Sequence, residues 1–127
     1  MCYIISTTVV VIYSGGEILI SSDVIRGYND TIILAMLKQG DSYGYEISKR
    51  IEQISEGIYV IKETTLYSAF TRLEKNGYIL SYSGVETNGR QRTYYKITES
   101  GLWYYAEKCK EWELTKDLIN RFVEEGK

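Results

Sequence analysis

Apolar residues recur at helical spacing over residues 23–39, where Ile25, Tyr28, Ile32, Ala35 and Met36 form one stripe and Ile33 and Leu37 widen it. The spacing predicts a first helix, capped by Asp23 and ended at Gly40. Ser42 is placed to cap a second helix over residues 43–54, with Ile47, Ile51 and Ile54 facing inward. Ser55-Glu56-Gly57 breaks that helix. The short bridge Ile58-Tyr59-Val60-Ile61 then leads to a third, over residues 64–76, with Leu66, Phe70 and Leu73 inward and Gly77 at its end. Residues 79–86 and 92–97 read instead as strands, joined through Asn88-Gly89, a pair whose backbone suits a tight hairpin. Thr98 caps a last helix, residues 99–125, which no proline interrupts.

Along that last helix Leu102, Tyr105, Cys109, Trp112, Lys116, Ile119 and Val123 follow one another at alternating steps of three and four. This is the seam of a coiled coil. A terminal helix of this kind, lying outside a domain that has its own core, is expected to pack on a second chain. The alternative is a fold-back on its own domain through Leu114, Leu118 and Phe122. Before residue 22 the pattern is different. Residues 3–13 are apolar and rich in β-branched side chains, Ser14-Gly15-Gly16 follows, and Ile18-Leu19-Ile20 forms a second apolar run. The run is too short for a membrane span, and it lacks the positive start of a signal peptide. It is either a β-hairpin packed on something or an extension translated from upstream of the natural start.

The expected fold is therefore mainly α with a small β-hairpin wing, an α+β arrangement. It divides into an N-terminal extension (1–21), a winged helix-turn-helix domain (22–98) and a C-terminal dimerisation helix (99–127). The 127 residues suit one such domain with an appended helix. The apolar share of 44% and charged share of 25% are those of a globular chain rather than a disordered one.

Composition removes most catalytic readings. There is no histidine, so the usual general base and the commonest nitrogen ligand for metals are missing. Cys2 and Cys109 lie too far apart in sequence to make a zinc motif or a disulfide framework. An enzyme using Cys109 as nucleophile would lack a base nearby in sequence. No enzymatic activity, metal or cofactor is expected, and nothing points to secretion, so the cytoplasm is the expected compartment.

The net charge of −2 argues against indiscriminate binding to polyanions, but it hides a local excess. Residues 87–98 hold Arg90, Arg92 and Lys96 and no acid. Local charge governs contact with phosphates, so a small basic surface on an acidic body is compatible with duplex DNA. A recognition helix presents its N-terminal residues to base edges in the major groove. Thr64, Thr65, Tyr67, Ser68 and Thr71 are the outward residues near that end of the third helix, with Arg72 one turn on. Tyr43 opens the second helix, Lys62 precedes the third, and Arg90 and Arg92 sit by the hairpin tip. These ten residues form the candidate DNA-binding set. One copy offers few cationic contacts, whereas two copies joined through the terminal seam would double them and read a palindromic operator. A reading from a different class keeps the fold but uses the wing charges on an acidic protein partner, without sequence-specific DNA binding.

Four segments stand out together: Gly40-Asp41-Ser42-Tyr43-Gly44-Tyr45-Glu46-Ile47, Thr65-Leu66-Tyr67, Arg72-Leu73-Glu74-Lys75-Asn76-Gly77 and Gly89-Arg90-Gln91-Arg92-Thr93-Tyr94-Tyr95-Lys96-Ile97-Thr98. They resemble the PadR family of transcriptional regulators, in particular its short members with a single C-terminal helix. The resemblance spans residues 23–122. It implies a homodimer in which the last helix of one subunit packs against the first helix of the other. It also implies that Trp112 lines a pore at the dimer centre, where a planar aromatic effector stacks. Cys109 and Lys116, the seam positions on either side of Trp112, complete the candidate ligand site. Binding there would shift the angle between the wings and release a repressor from its operator. Many family members have proline where this chain has Ser68 and Gln91.

Overall fold

A computed structural model describes residues 3–5, 8–10, 20–85 and 89–125. Near the N-terminus, β1 (Tyr3–Ile5) pairs antiparallel with β2 (Thr8–Val10). All the other residues before 20, including Ile18 and Leu19, lie outside the described residues.

The first predicted helix is divided. A short α1 (Ser22–Ile25) passes through a 3-10 turn over Arg26–Tyr28 into α2 (Asn29–Lys38). Gly27, a poor helix former, lies at the junction. The cap is Ser21, whose Oγ accepts from the Val24 N–H at 3.3 Å, and not Asp23, which pairs with Arg26. The buried stripe is rotated accordingly. Ile33, Leu34, Met36 and Leu37 are buried, while Tyr28, Ile32 and Ala35 are only partly covered.

The second predicted helix begins later. Ser42 and Tyr43 form β3, and α3 runs over Gly44–Ile54. Ser42 is therefore a strand residue, and its hydroxyl donates to the Glu46 carboxylate instead of capping the helix. Ile54, expected inward, is 63% exposed. The positive φ values of Glu56 and Gly57 turn the chain toward α4 (Glu63–Lys75). No side chain caps α4, whose N-cap residue is Lys62; Glu63 in its first turn places a negative charge at the positive end of the helix instead. Gly77 (φ 79) ends the helix in a conformation that a β-carbon would strain.

β4 (Ile79–Val85) and β5 (Gln91–Ile97) form the hairpin. Its predicted turn residue Asn88, like Glu86, lies outside the described residues, and Gly89 follows with φ 84. The sheet is three-stranded in the order β3-β5-β4, because the chain segment before α3 adds to the free side of β5. Ile33, Leu34 and Leu37 of α2 meet Ile47, Leu66, Phe70, Leu73 and Ile79 in a single core. Each fully buried side chain of this size contributes about 1.5–3 kcal/mol. Phe70 extends the core to the sheet by stacking on Tyr95, ring centroids 3.9 Å apart.

The last helix, α5, spans Glu99–Glu125. Thr98 caps it as the sequence predicts, its Oγ1 accepting from the Gly101 N–H at 3.0 Å. The first half of α5 lies on α2 and the loop after α4. Tyr104 stacks on Tyr78 at 4.1 Å, Lys38 sits over the Tyr105 ring at 5.4 Å, and Trp112 meets the edge of Tyr28 at 5.3 Å.

Candidate nucleic-acid interface

α4 presents Thr64, Tyr67, Ser68, Thr71 and Arg72 on its exposed side, with Thr65 partly covered and Lys62 at the helix start. The hydroxyls differ in what they are already doing. Thr71 donates to the Tyr67 carbonyl at 3.0 Å. Tyr67 turns its ring edge to Phe70 and lays its hydroxyl against Gly44, where any β-carbon would collide with it. Glycine at position 44 therefore lets α3 approach α4 closely.

Arg72 is turned away from the helix start toward α2, where Asp30 accepts two bonds from its guanidinium. Those bonds push the Arg72 pKa above its ordinary value and hold its half-exposed charge against Asp30. The sequence pattern places Arg72 on the outward side, and Asp30 gave no signal because the two are distant in sequence.

The wing is fastened to the helices at several points. Glu74 of α4 accepts from both the N–H and the hydroxyl of Ser81, at 3.2 and 2.7 Å. The Tyr82 hydroxyl donates to Asp41 at 2.6 Å, and that bond raises the phenol pKa. The Arg92 guanidinium lies 4.0 Å from the centroid of the Tyr43 ring. Arg90 stands exposed beside Gly89. The helix face carrying Lys62, Thr64 and Ser68 and the hairpin carrying Arg90 thus belong to one rigidly tied unit of helix, turn, helix and wing.

A family model described as the transcriptional regulator PadR-like family matches residues 33–107, from the core of α2 to the third turn of α5. The chain belongs to the PadR family. A PadR-family chain with this arrangement is a DNA-binding transcriptional regulator and not an enzyme. Its likeness to solved structures agrees. A transcriptional regulator from Clostridium thermocellum is 68% identical, with a TM-score of 0.77, over 83% of this chain and 99% of that one. A PadR family transcription regulator from Clostridium difficile is 36% identical, with a TM-score of 0.66, over 76% of this chain and 99% of that one. An uncharacterised protein of Lysinibacillus sphaericus is 44% identical over 84% of this chain and 97% of its own length.

The residues named for a ligand lie elsewhere, on α5, where Trp112 packs against Tyr28. Trp112 is 43% exposed and borders a groove of about 360 Å³ shared with Asp23, Gly27, Tyr28, Lys108 and Thr115. Cys109 is partly covered one turn away, and its thiol beside Tyr105 raises the tyrosine pKa. Lys116 pairs with Glu113 at 3.2 Å. Among the described residues no cluster of side chains could hold a metal ion, and no helix is long and apolar enough to cross a membrane.

Proposed function

We propose that this PadR-family regulator is a homodimeric repressor of transcription that works in the cytoplasm and reads a palindromic operator. Lys62, Thr64, Thr65 and Ser68 of α4 face the major groove, with Tyr43, Tyr67 and Thr71 shaping that face, and Arg90 of the wing meets the phosphate backbone. A planar aromatic effector seated against Trp112, between Cys109 and Lys116, releases the repressor. The effector acts only if it binds more tightly to the wing spacing that misfits the operator.

The observation that carries this reading is the uncovered end of α5. Its 27 residues extend about 40 Å, while the 10 residues of α2 extend about 15 Å, so α2 can cover only part of its length. Beyond Trp112 the seam residues Ile119 and Val123 are exposed, and Leu114 and Phe122, each 72% exposed, form with Leu118 a second apolar row on another side of the helix, not folded back on the domain. Uncovered apolar rows of this kind on a helix end are the natural contact of a second chain.

Light scattering behind a sizing column should give twice the chain mass at micromolar concentration. A monomer would overturn the reading. Fluorescence anisotropy with duplex selected from a random-sequence pool should show saturable binding that weakens steeply with salt. Arg90→Ala should flatten that salt dependence by about one phosphate. Tryptophan quenching by a planar aromatic dye should be lost in Trp112→Ala; unchanged dye affinity would remove the effector from the proposal.

A further inference from the structure

The two arginines of the wing are not equivalent. Arg92 and Tyr94 are two residues apart on β5 and so share one face of the sheet. In the strand register Tyr94 stands directly opposite Tyr43 on one side and Tyr82 on the other. The three rings therefore form a row across all three strands. Tyr94 is edge-on to Tyr43 at 5.4 Å and near-parallel to Tyr82 at 5.7 Å. The row ends in the bond from Tyr82 to Asp41, just before β3.

Arg92 closes the same row from the tip side. Its guanidinium lies 4.0 Å from the Tyr43 centroid, and its side chain is partly buried. The residue opposite Arg92 is Gly84. A β-carbon at Gly84 would stand 2.5 Å from two ring carbons of Tyr94, so the bare backbone there is what lets the ring lie across the strand. Glycine, two tyrosines and the guanidinium interlock as one packed layer.

We propose that Arg92 is a positioning residue: it clamps the hairpin onto Tyr43 at the entrance of α3 and sets the distance between the wing tip and the recognition helix, while Arg90 alone meets phosphate. The proposal rests on DNA binding by this surface. The cation–π contact is directional and planar, so a lysine, with its compact ammonium on a flexible stem, replaces it poorly. A phosphate contact has the opposite character, because any cation in reach releases a counterion.

The test compares Arg92→Gln, Arg92→Lys and Tyr43→Leu in the full chain, on duplex selected from a random pool. The wild-type titration comes first, and absence of DNA binding there would defeat the functional reading while leaving the clamp to be judged by the second measurement below. With binding present, Arg92→Gln should weaken affinity about fivefold and leave the salt slope unchanged. Arg92→Lys should fail to restore it. Tyr43→Leu should give a similar loss, and the double variant should lose no more than either single one. Recovery of affinity by lysine, with a slope reduced by about one in the glutamine variant, would make Arg92 a phosphate contact and overturn the proposal.

The second measurement needs no DNA. In the proton NMR spectrum, the ring current of Tyr43 should displace the Arg92 δ and ε resonances upfield, and Tyr43→Leu should abolish the displacement. Ordinary shifts in the wild type would overturn the clamp whatever the affinities show.

Discussion

Arg72 of α4 donates to both carboxylate oxygens of Asp30 on α2, Nε to Oδ2 at 3.1 Å and Nη2 to Oδ1 at 2.5 Å. Asp30 is largely covered and Arg72 is half exposed, with side-chain exposures of 16% and 51%. The pair joins the recognition helix to the helix on which α5 rests. A two-pronged bond of this kind exceeds an ordinary surface pair, although water still screens it. Asp30→Asn should lower the unfolding free energy by about 1 kcal/mol, read from urea midpoints at unchanged slope.

Gly101 in the first turn of α5 is buried where the helix crosses the loop after α4. A β-carbon there would collide with the Tyr78 carbonyl oxygen and approach the Ile97 side chain to 2.8 Å. Within a helix, Gly→Ala ordinarily stabilises by up to about 1 kcal/mol. Here the sign should reverse. Gly101→Ala should cost about 1–3 kcal/mol, seen as a lower melting temperature, with the Tyr78–Tyr104 stack disturbed.

Tyr82 couples the wing to alkaline pH. Its bond to Asp41 raises the phenol pKa in the folded chain above the usual tyrosine value of about 10. A raised folded value stabilises the protonated form, so the contribution is complete below pH ~10 and is lost as pH climbs through the folded pKa. Denaturation midpoints followed from neutral pH into the alkaline range should fall more steeply in the wild type than in Tyr82→Phe. Parallel curves would show that the bond does not form in solution.

Paired substitution at the end of α5 addresses assembly. If Leu118 and Phe122 are buried between two copies, each contributes about 1.5–3 kcal/mol to the contact. Leu118→Asp with Phe122→Asp should weaken dimerisation by at least about two orders of magnitude. The domain should still melt cooperatively, because neither residue reaches the core.

Much of this fold could be read from periodicity. The stripes through Leu66, Phe70 and Leu73, the strand pair, and Thr98 as the cap of α5 all rest on local spacing, and the structure has each of them. What local spacing could not carry was contact between distant segments. Ser42 has the chemistry of a helix cap, yet pairing with Tyr95 draws it into the sheet, and only tertiary register decides between the two. Ile54 fits the inward stripe of α3, but the chain turns at Glu56 and Gly57 before anything covers it. Arg72 and Arg92 illustrate the same limit for the site. Their charge was visible and their neighbours were not, since Asp30 and Tyr43 are brought to them by folding.

Ser42 and Tyr43 serve two masters, closing the sheet on one side and launching α3 on the other. The hairpin is thus not a self-contained cassette. Grafting residues 79–97 from a relative would import two strands and leave the third behind, with its tyrosine facing an unfamiliar ring. Any lineage that diversifies this appendage must change it in concert with a tripeptide (41–43) lying nearly forty residues upstream.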